Sequence, residues 1–96
     1  MEIEFKTGAV EDIQFWKQSG NINVQKKISE LLSDIVKNPE KGIGKPERLK
    51  GVLSGYWSRR INKEHRIIYK IDYPGHKITI YSLIGHYTKK IGRAHV

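Results

Sequence analysis

One apolar stripe constrains the fold more than any other feature of this sequence. Between residues 24 and 36 the aliphatic side chains recur at intervals that place them on one side of an α-helix: Val24, Ile28, Leu31, Leu32, Ile35 and Val36. Asn21 or Asn23 is a suitable N-cap. The helix ends at Asn38-Pro39, because a residue before proline is disfavoured in the helical region. The stripe is therefore predicted to be core.

The segments around this helix predict a sheet for it to cover. Residues 2–6 alternate as a strand, and a short helix follows with Val10, Ile13 and Trp16 on one side and Gly20 as its stop. After a Gly- and Pro-rich loop over 39–51, three strands are predicted at 56–61, 65–71 and 77–83, with turns at 62–64 and 73–75. The order of one strand, two helices and an antiparallel meander predicts an α+β fold with the helices on one sheet face.

Composition excludes several classes of protein. A chain of 96 residues fits a single domain. It has no cysteine, which excludes disulfides and zinc-thiolate sites, and no His pair at metal-ligand spacing. No apolar run approaches the roughly 20 residues that span a bilayer, and the N-terminus lacks the pattern of a secretory signal. We expect a soluble cytoplasmic protein without metal, cofactor or membrane association.

The excess of positive over negative charge is confined to the second half of the chain. Residues 1–47 carry seven Lys/Arg and eight Asp/Glu, whereas residues 48–96 carry eleven Lys/Arg and two Asp/Glu. A concentrated field of one sign attracts polyanions and acidic partners. A solvated surface that only aids solubility is an equally good interpretation of charge alone.

Three groups of polar residues in this half could carry chemistry. Glu47 lies among cations in the loop and could act as a general base. Arg59, Arg60 and Arg66 lie on adjacent predicted strands, where arginine suits a phosphate, although alternation sends Arg59 and Arg60 to opposite faces. The pair His86-Tyr87 offers a proton donor near neutrality and a ring that could stack on a base. Singly, each is more often an ordinary surface or structural residue. Together they support RNA binding better than RNA cleavage.

The chain resembles the YoeB/Txe toxins of the RelE superfamily. The resemblance rests on the loop GKPERLK at 44–50, the strands LSGYWSRRI at 53–61 and EHRIIY at 64–69, and the terminal pair His86-Tyr87, all in order. Phe15-Trp16 and the run at 27–32 add to it. The similarity covers about residues 2–88, which we take as one domain, with residues 89–96 as a basic extension that could hinder the terminal pair.

The resemblance implies a microbial ribonuclease-like fold and cleavage of messenger RNA in the ribosomal decoding site. It implies that Glu47 is the general base, His86 the general acid, Arg66 the phosphate ligand and Tyr87 a residue that positions the nucleotide. It assigns supporting or phosphate-binding roles to a second set: Lys50, Arg59, Arg60 and Glu64.

The resemblance also implies the partners. These are messenger RNA, the 70S ribosome, an acidic antitoxin of the YefM, Axe or Phd kind, and a second copy of the chain in a homodimer. Two other hypotheses remain open: a non-catalytic module that binds the ribosome or an antitoxin, and a gyrase-directed toxin on the same scaffold.

Overall fold

A computed structural model describes residues 1–84 of the chain. In chain order the elements are β1 (Glu2–Phe5), α1 (Thr7–Ser19), α2 (Ile22–Lys37), β2 (Glu47–Arg48), a 3₁₀ turn (Gly51–Leu53), β3 (Trp57–Arg60), β4 (Arg66–Asp72) and β5 (Lys77–Ser82). The strands form one sheet in the order β1-β5-β4-β3-β2. β1 is parallel to β5, and all other neighbours are antiparallel. The predicted α+β fold is confirmed.

Two edge strands enlarge the predicted meander. β1 joins the sheet beside β5, so the first and last strands of the described chain are neighbours. The prediction of a loop over 39–51 is wrong in part, because this segment contains β2 and the first residue of the 3₁₀ turn. β2 has only two residues, and it forms because Glu47 and Arg48 pair with Ser58 and Trp57 of β3. Tertiary pairing thus overrides the Gly- and Pro-rich local sequence.

Helix α2 follows its apolar stripe closely. Val24, Ile28, Leu31 and Ile35 are buried, and the side chain of Asn21 caps the helix by accepting a hydrogen bond from Val24 N at 3.1 Å. The helix ends at Lys37, directly before Asn38-Pro39. The predicted stripe and stop are confirmed.

The predicted inner side of helix α1 is shifted. Trp16 is buried as expected and Ile13 is half-buried, but Val10 is 45% exposed. The buried positions are Ala9, Asp12 and Trp16. Asp12 explains the shift, because its carboxylate accepts hydrogen bonds from Leu83 N (2.8 Å) and Ser82 Oγ (3.3 Å) at the end of β5. A buried polar contact, which apolar periodicity does not detect, sets the rotation of the helix.

The two faces of the sheet differ in character. The face under the helices carries the main core, to which both helices contribute together with residues such as Ile67, Tyr69, Ile78 and Ile80. The opposite face, called here the open face, carries a smaller apolar cluster of Leu53 and Ile68 with Leu49, Tyr56 and Tyr81 packed against it. Within residues 1–84 no helix is long and apolar enough to cross a bilayer.

Candidate active site

Three of the predicted site residues lie together on the open face. Glu47 in β2 pairs with Ser58 in β3, and two residues further along β3 Arg60 pairs with Arg66 in β4. Directly paired residues, and residues two apart on a strand, share a sheet face. Ser58 also pairs with Ile68, which belongs to the apolar cluster of the open face. The pairing therefore brings Glu47, Arg60 and Arg66 to one side of three adjacent strands.

The spacing of these residues leaves room for a ligand. Glu47 and Arg66 are separated by two strand spacings across the sheet and two residues along it, which corresponds to about 12 Å between their Cα atoms. Glu47 and Arg60 are exposed and Arg66 is half-buried. None of the three forms an ion pair with another residue of the described range. A carboxylate and two guanidinium groups thus face solvent without neutralising one another.

Arg59 lies on the other face and is fully buried. Its guanidinium group forms an ion pair with Asp34 of α2 at 2.5 Å and donates to Tyr69 Oη at 3.1 Å. It also donates to three carbonyl oxygens of the segment between α2 and β2: Asn38, Lys41 (2.9 Å) and Ile43 (3.1 Å). All five N–H donors of the arginine are satisfied. Burial keeps Arg59 from a ligand. Of the two roles that the resemblance implies for it, phosphate binding or support, its contacts favour support.

Asp34 and Tyr69 complete the contacts that hold residues 38–43. Asp34 Oδ2 accepts from Ile43 N at 3.1 Å, and Tyr69 Oη donates to Pro39 O at 2.8 Å. The hydrogen bond from Arg59 lowers the pKa of Asp34, while burial raises the pKa of Tyr69. We call Arg59, Asp34 and Tyr69 the loop clamp. It fixes the segment that leads directly into Glu47.

Gly44 connects the clamped segment to the sheet. Its carbonyl accepts a hydrogen bond from Arg60 N at 2.6 Å, and its φ of +79° lies in the region that favours glycine. A Cβ at this position would come within 2.6 Å of Leu31 Cδ2 and 3.2 Å of Arg60 O. The chain therefore passes close to the core at Gly44, three residues before Glu47. Glycine is required for this approach.

Aromatic and basic side chains extend the open face beyond the predicted residues. The rings of Tyr56 and Tyr81 meet edge to face with their centroids 5.0 Å apart, and Lys70 Nζ lies 4.5 Å from the centre of the Tyr56 ring. Lys70 shares its side of β4 with Arg66, as strand alternation predicts. The two tyrosines were not identified as site residues, because their proximity depends on the packing of non-adjacent segments.

Lys50 and Glu64 both occupy exposed positions. Lys50 precedes the 3₁₀ turn, and its carbonyl accepts a hydrogen bond from Leu53 N. Glu64 lies in the turn between β3 and β4, where its backbone N–H donates to Asn62 Oδ1. The hydrogen bonds and ion pairs of residues 1–84 do not link either side chain to Glu47 or Arg66. Their supporting roles stay predictions.

His86 and Tyr87 lie outside the described residues. β5 ends at Ser82, which pairs with Ile68 only two residues from Arg66, and β5 runs antiparallel to β4 toward the end where Arg66 lies. Leu83 is held there by Asp12 through its N–H and by Trp16 Nε1 through its carbonyl, at 2.8 Å each. The described chain is thus anchored three residues before His86.

The other described histidines have local contacts. The ring of His65 meets Trp16 edge to face at 5.0 Å, on the helix side of the sheet. Strand alternation sends neighbouring residues to opposite faces, so His65 points away from Arg66. His76 lies in the β4–β5 turn. Within residues 1–84 no group of three His, Cys, Asp or Glu side chains is arranged to hold a metal ion.

Comparison with known proteins identifies the family of this chain. Residues 5–87 match the family described as the YoeB-like toxin of bacterial type II toxin-antitoxin systems. Toxin YoeB of Streptomyces coelicolor is 51% identical over 70 residues, which cover 73% of this chain and 82% of that protein. A YoeB/ParE toxin structure from Agrobacterium tumefaciens has a TM-score of 0.83 at 36% identity, and the alignment covers 91% of this chain and 100% of that one.

Two structures of Staphylococcus aureus YoeB are also similar. One is a YoeB-YefM complex, with a TM-score of 0.78 at 46% identity, and the other is a YoeB dimer, with a TM-score of 0.79 at 45% identity. Both alignments cover 91% of this chain and 98% of the solved chain. The family match spans most of the sequence and includes every element from α1 to β5, together with the last residue of β1. The chain therefore belongs to the YoeB-like toxins of bacterial type II toxin-antitoxin systems.

Proposed function

We propose that this toxin is a ribosome-dependent endoribonuclease that cleaves messenger RNA in the ribosomal A site and thereby inhibits translation. The observation that carries the proposal is the placement of Glu47, Arg60 and Arg66 on one open sheet face without ion pairs among them. Glu47 can accept a proton, and its Cα lies about 12 Å from that of Arg66, which can bind a phosphate. This spacing suits a reaction at a ribose and its 3′-phosphate.

The reaction begins at the ribose 2′-hydroxyl. Glu47 removes its proton, the 2′-oxygen attacks the adjacent phosphorus, and the bond from phosphorus to the 5′-oxygen of the next nucleotide breaks. Arg66 donates to the phosphate oxygens and stabilises the charge that develops on them, and Arg60 supports it from the neighbouring strand. The products are a 2′,3′-cyclic phosphate and a 5′-hydroxyl. DNA lacks the attacking hydroxyl, so RNA is the substrate.

We assign the second proton transfer to His86. It protonates the departing 5′-oxygen, while Tyr87 positions the nucleotide by stacking or hydrogen bonding. The support is the anchored end of β5, which directs the chain toward the Arg66 end of β4. This acid–base scheme needs no metal ion or cofactor.

The partners follow from the relatives and the charge. We propose that an acidic antitoxin of the YefM kind covers the basic residues of the open face and neutralises the toxin. The YoeB-YefM complex of S. aureus supports this proposal. We also propose a homodimer, by analogy with the S. aureus YoeB dimer. The activity belongs to the cytoplasm, where ribosomes translate.

Mapping of RNA ends in a translation extract tests the proposal. Glu47→Ala, Arg66→Ala and His86→Ala should each lower the rate of cleavage by about 10²–10⁴-fold, the usual contribution of acid–base groups and charge stabilisers. New 5′ ends should appear with the wild-type toxin only when ribosomes are present. Glu30→Ala and Lys37→Ala are matched controls, because both side chains are exposed on α2, and cleavage should be unchanged.

Two outcomes contradict the proposal. One outcome is cleavage at the same codons by a variant that carries all three substitutions and has a native circular dichroism spectrum. In that case Glu47, Arg66 and His86 are not the catalytic set. If translation stops without new RNA ends, the toxin acts by occupancy; DNA damage without loss of messenger RNA would instead indicate a gyrase-directed toxin.

A further inference from the structure

A second basic feature lies between helix α2 and the end of β3. Seven residues line an open cleft of about 340 Å³ at the rim of the sheet: Lys27, Gly44, Lys45, Arg60, Ile61, Asn62 and Lys63. Four of the seven are cations, and they come from three different segments: helix α2, the segment before β2, and the end of β3 with its turn. We call it the cationic cleft.

The cationic cleft lacks internal counter-charge. No acidic side chain lines it, and none of its four cations forms an ion pair with another residue in the described part of the chain. Clustered like charges repel one another unless an anion binds among them. The side chain of Asn62 adds to this character, because its Oδ1 accepts from Glu64 N and His65 N, which leaves the amide nitrogen as a donor.

The backbone at the cleft holds one of the lysines in an unusual conformation. Lys45 has a φ of +53°, which is uncommon for a residue with a side chain. It follows Gly44, whose carbonyl is bonded to Arg60 N. The left-handed conformation at Lys45 is thus fixed by the sheet and by the close approach at Gly44. Strained non-glycine positions of this kind are enriched at ligand sites.

Arg60 joins the cationic cleft to the proposed active site. It lines the cleft and also pairs with Arg66 across β3 and β4, whose strand spacing is about 4.8 Å. We propose that the cationic cleft binds a phosphodiester of RNA that neighbours the scissile one, with Lys27, Lys45 and Lys63 as its ligands. The inference rests on the proposed function, from which it takes RNA as the bound polymer.

The lining of the cleft favours a phosphate over a peptide. A peptide with apolar anchors fits the groove between the helices, which is lined by Ile13, Trp16, Ile28 and Leu32 among others. The cationic cleft offers one large apolar residue, Ile61, and that residue is 6% exposed. Lysine and arginine donors without apolar anchors are typical of contacts to a nucleic acid backbone.

RNA binding by a cleavage-deficient toxin tests the inference. In full-length protein carrying Glu47→Gln, the lysines at 27, 45 and 63 are replaced by Gln, and binding is measured by fluorescence anisotropy with labelled single-stranded RNA of two and of ten nucleotides. The matched control replaces the exposed Lys6, Lys17 and Lys37 by Gln, which changes the net charge equally. Because the background does not cleave, the readout is independent of catalysis.

We expect the cleft variant to bind the ten-nucleotide RNA about 5–10-fold more weakly at moderate salt. The slope of log Kd against log salt should fall by about 0.7–1 for each phosphate contact that is lost. Binding of the dinucleotide, which has a single phosphodiester for Arg66, should change less than twofold. The control triple variant should change both affinities little and equally.

The second measurement is binding to ribosomes programmed with messenger RNA. A loss of affinity for free RNA and for ribosomes assigns the phosphodiester to the messenger and supports the inference. A loss for ribosomes alone assigns it to ribosomal RNA and overturns the placement beside the scissile phosphodiester. Unchanged binding in both assays overturns the inference, and so does weakening only of the complex with an acidic antitoxin. If wild-type toxin cuts no RNA but the cleft variant still loses RNA affinity, the proposed function fails and the cleft site stands.

Discussion

Replacement of Arg59 by Met is the sharpest test of how this fold positions its site. Met is apolar and similar in length, so the change removes the donors and the charge while much of the volume stays filled. It leaves Asp34 without its ion-pair partner, and it leaves three carbonyl oxygens and Tyr69 Oη without the donor that they share.

The cost follows from those contacts. Removal of one partner of a buried ion pair costs about 3–5 kcal/mol, and a side-chain exposure of 22% at Asp34 lets water reach that carboxylate. We therefore expect a loss of about 3–4 kcal/mol in the free energy of unfolding. Domains of this length have roughly 5–15 kcal/mol in total. At about 4–8 °C per kcal/mol, Tm should fall by roughly 12–30 °C.

Urea denaturation and hydrogen exchange measure the two parts of this effect. Urea unfolding followed by tryptophan fluorescence gives the global loss. Amide exchange at Ile43 and Arg60 reports opening of the clamped segment, because these N–H groups donate to Asp34 Oδ2 and Gly44 O. Arg48→Met is the matched control. Arg48 is exposed and only approaches the ring of Trp57, at 5.8 Å, so the control should cost less than about 1 kcal/mol.

Cleavage assays below the Tm of the variant complete the test. Arg59 does not face the open sheet surface, so its loss should slow RNA cleavage through displacement of Glu47 while the Kd for RNA changes less than about twofold. The reasoning is refuted if Arg59→Met costs less than about 1 kcal/mol and leaves the exchange rates of Ile43 and Arg60 unchanged. An equal loss of RNA affinity in the folded variant would show that the clamped segment also sets RNA binding, and it would contradict an effect through Glu47 alone.

Two further perturbations address the same region. The pKa of Asp34 is lower in the folded state than in the unfolded state, where it is about 3.9. The ionised carboxylate therefore stabilises the fold when the pH is above the unfolded-state pKa, and this contribution is lost as the pH falls through the folded-state pKa. The free energy of unfolding of the wild type should therefore fall more steeply below about pH 4 than that of Asp34→Asn. Urea titrations over about pH 3–6 measure both, and the same pH dependence in the two proteins would disprove this. Gly44→Ala should lower the free energy of unfolding by about 2 kcal/mol or more, because it combines positive φ with the close approach to Leu31. Gly20→Ala is the control, since Gly20 has a similar φ but open space around it. Equal losses of Tm in the two variants would contradict the steric argument.

Local sequence patterns were sufficient for the periodic parts of this protein. The stripe of α2 and its end before Pro39 could be predicted directly. An apolar stripe on one side of a helix is buried against the core, and the residue before proline is disfavoured in the helical region. The alternation in β4 likewise separated Arg66 and Lys70 from Ile67 and Tyr69. The short β2 could not be predicted, since two residues have no period and pair only because β3 is present.

The amino-acid sequence by itself determined which residue types are available and that Arg59 and Arg60 point in opposite directions. Only the tertiary structure decided which arginine faces solvent beside Arg66 and which lies under the helices. Strand alternation fixes relative orientation, whereas the absolute direction depends on partners far along the chain, such as Asp34, which is 25 positions away. The apolar stripe of α2 likewise predicts a helix from the sequence alone. How the segment leading to Glu47 is held depends on tertiary contacts, which Asp34 makes near the end of that helix.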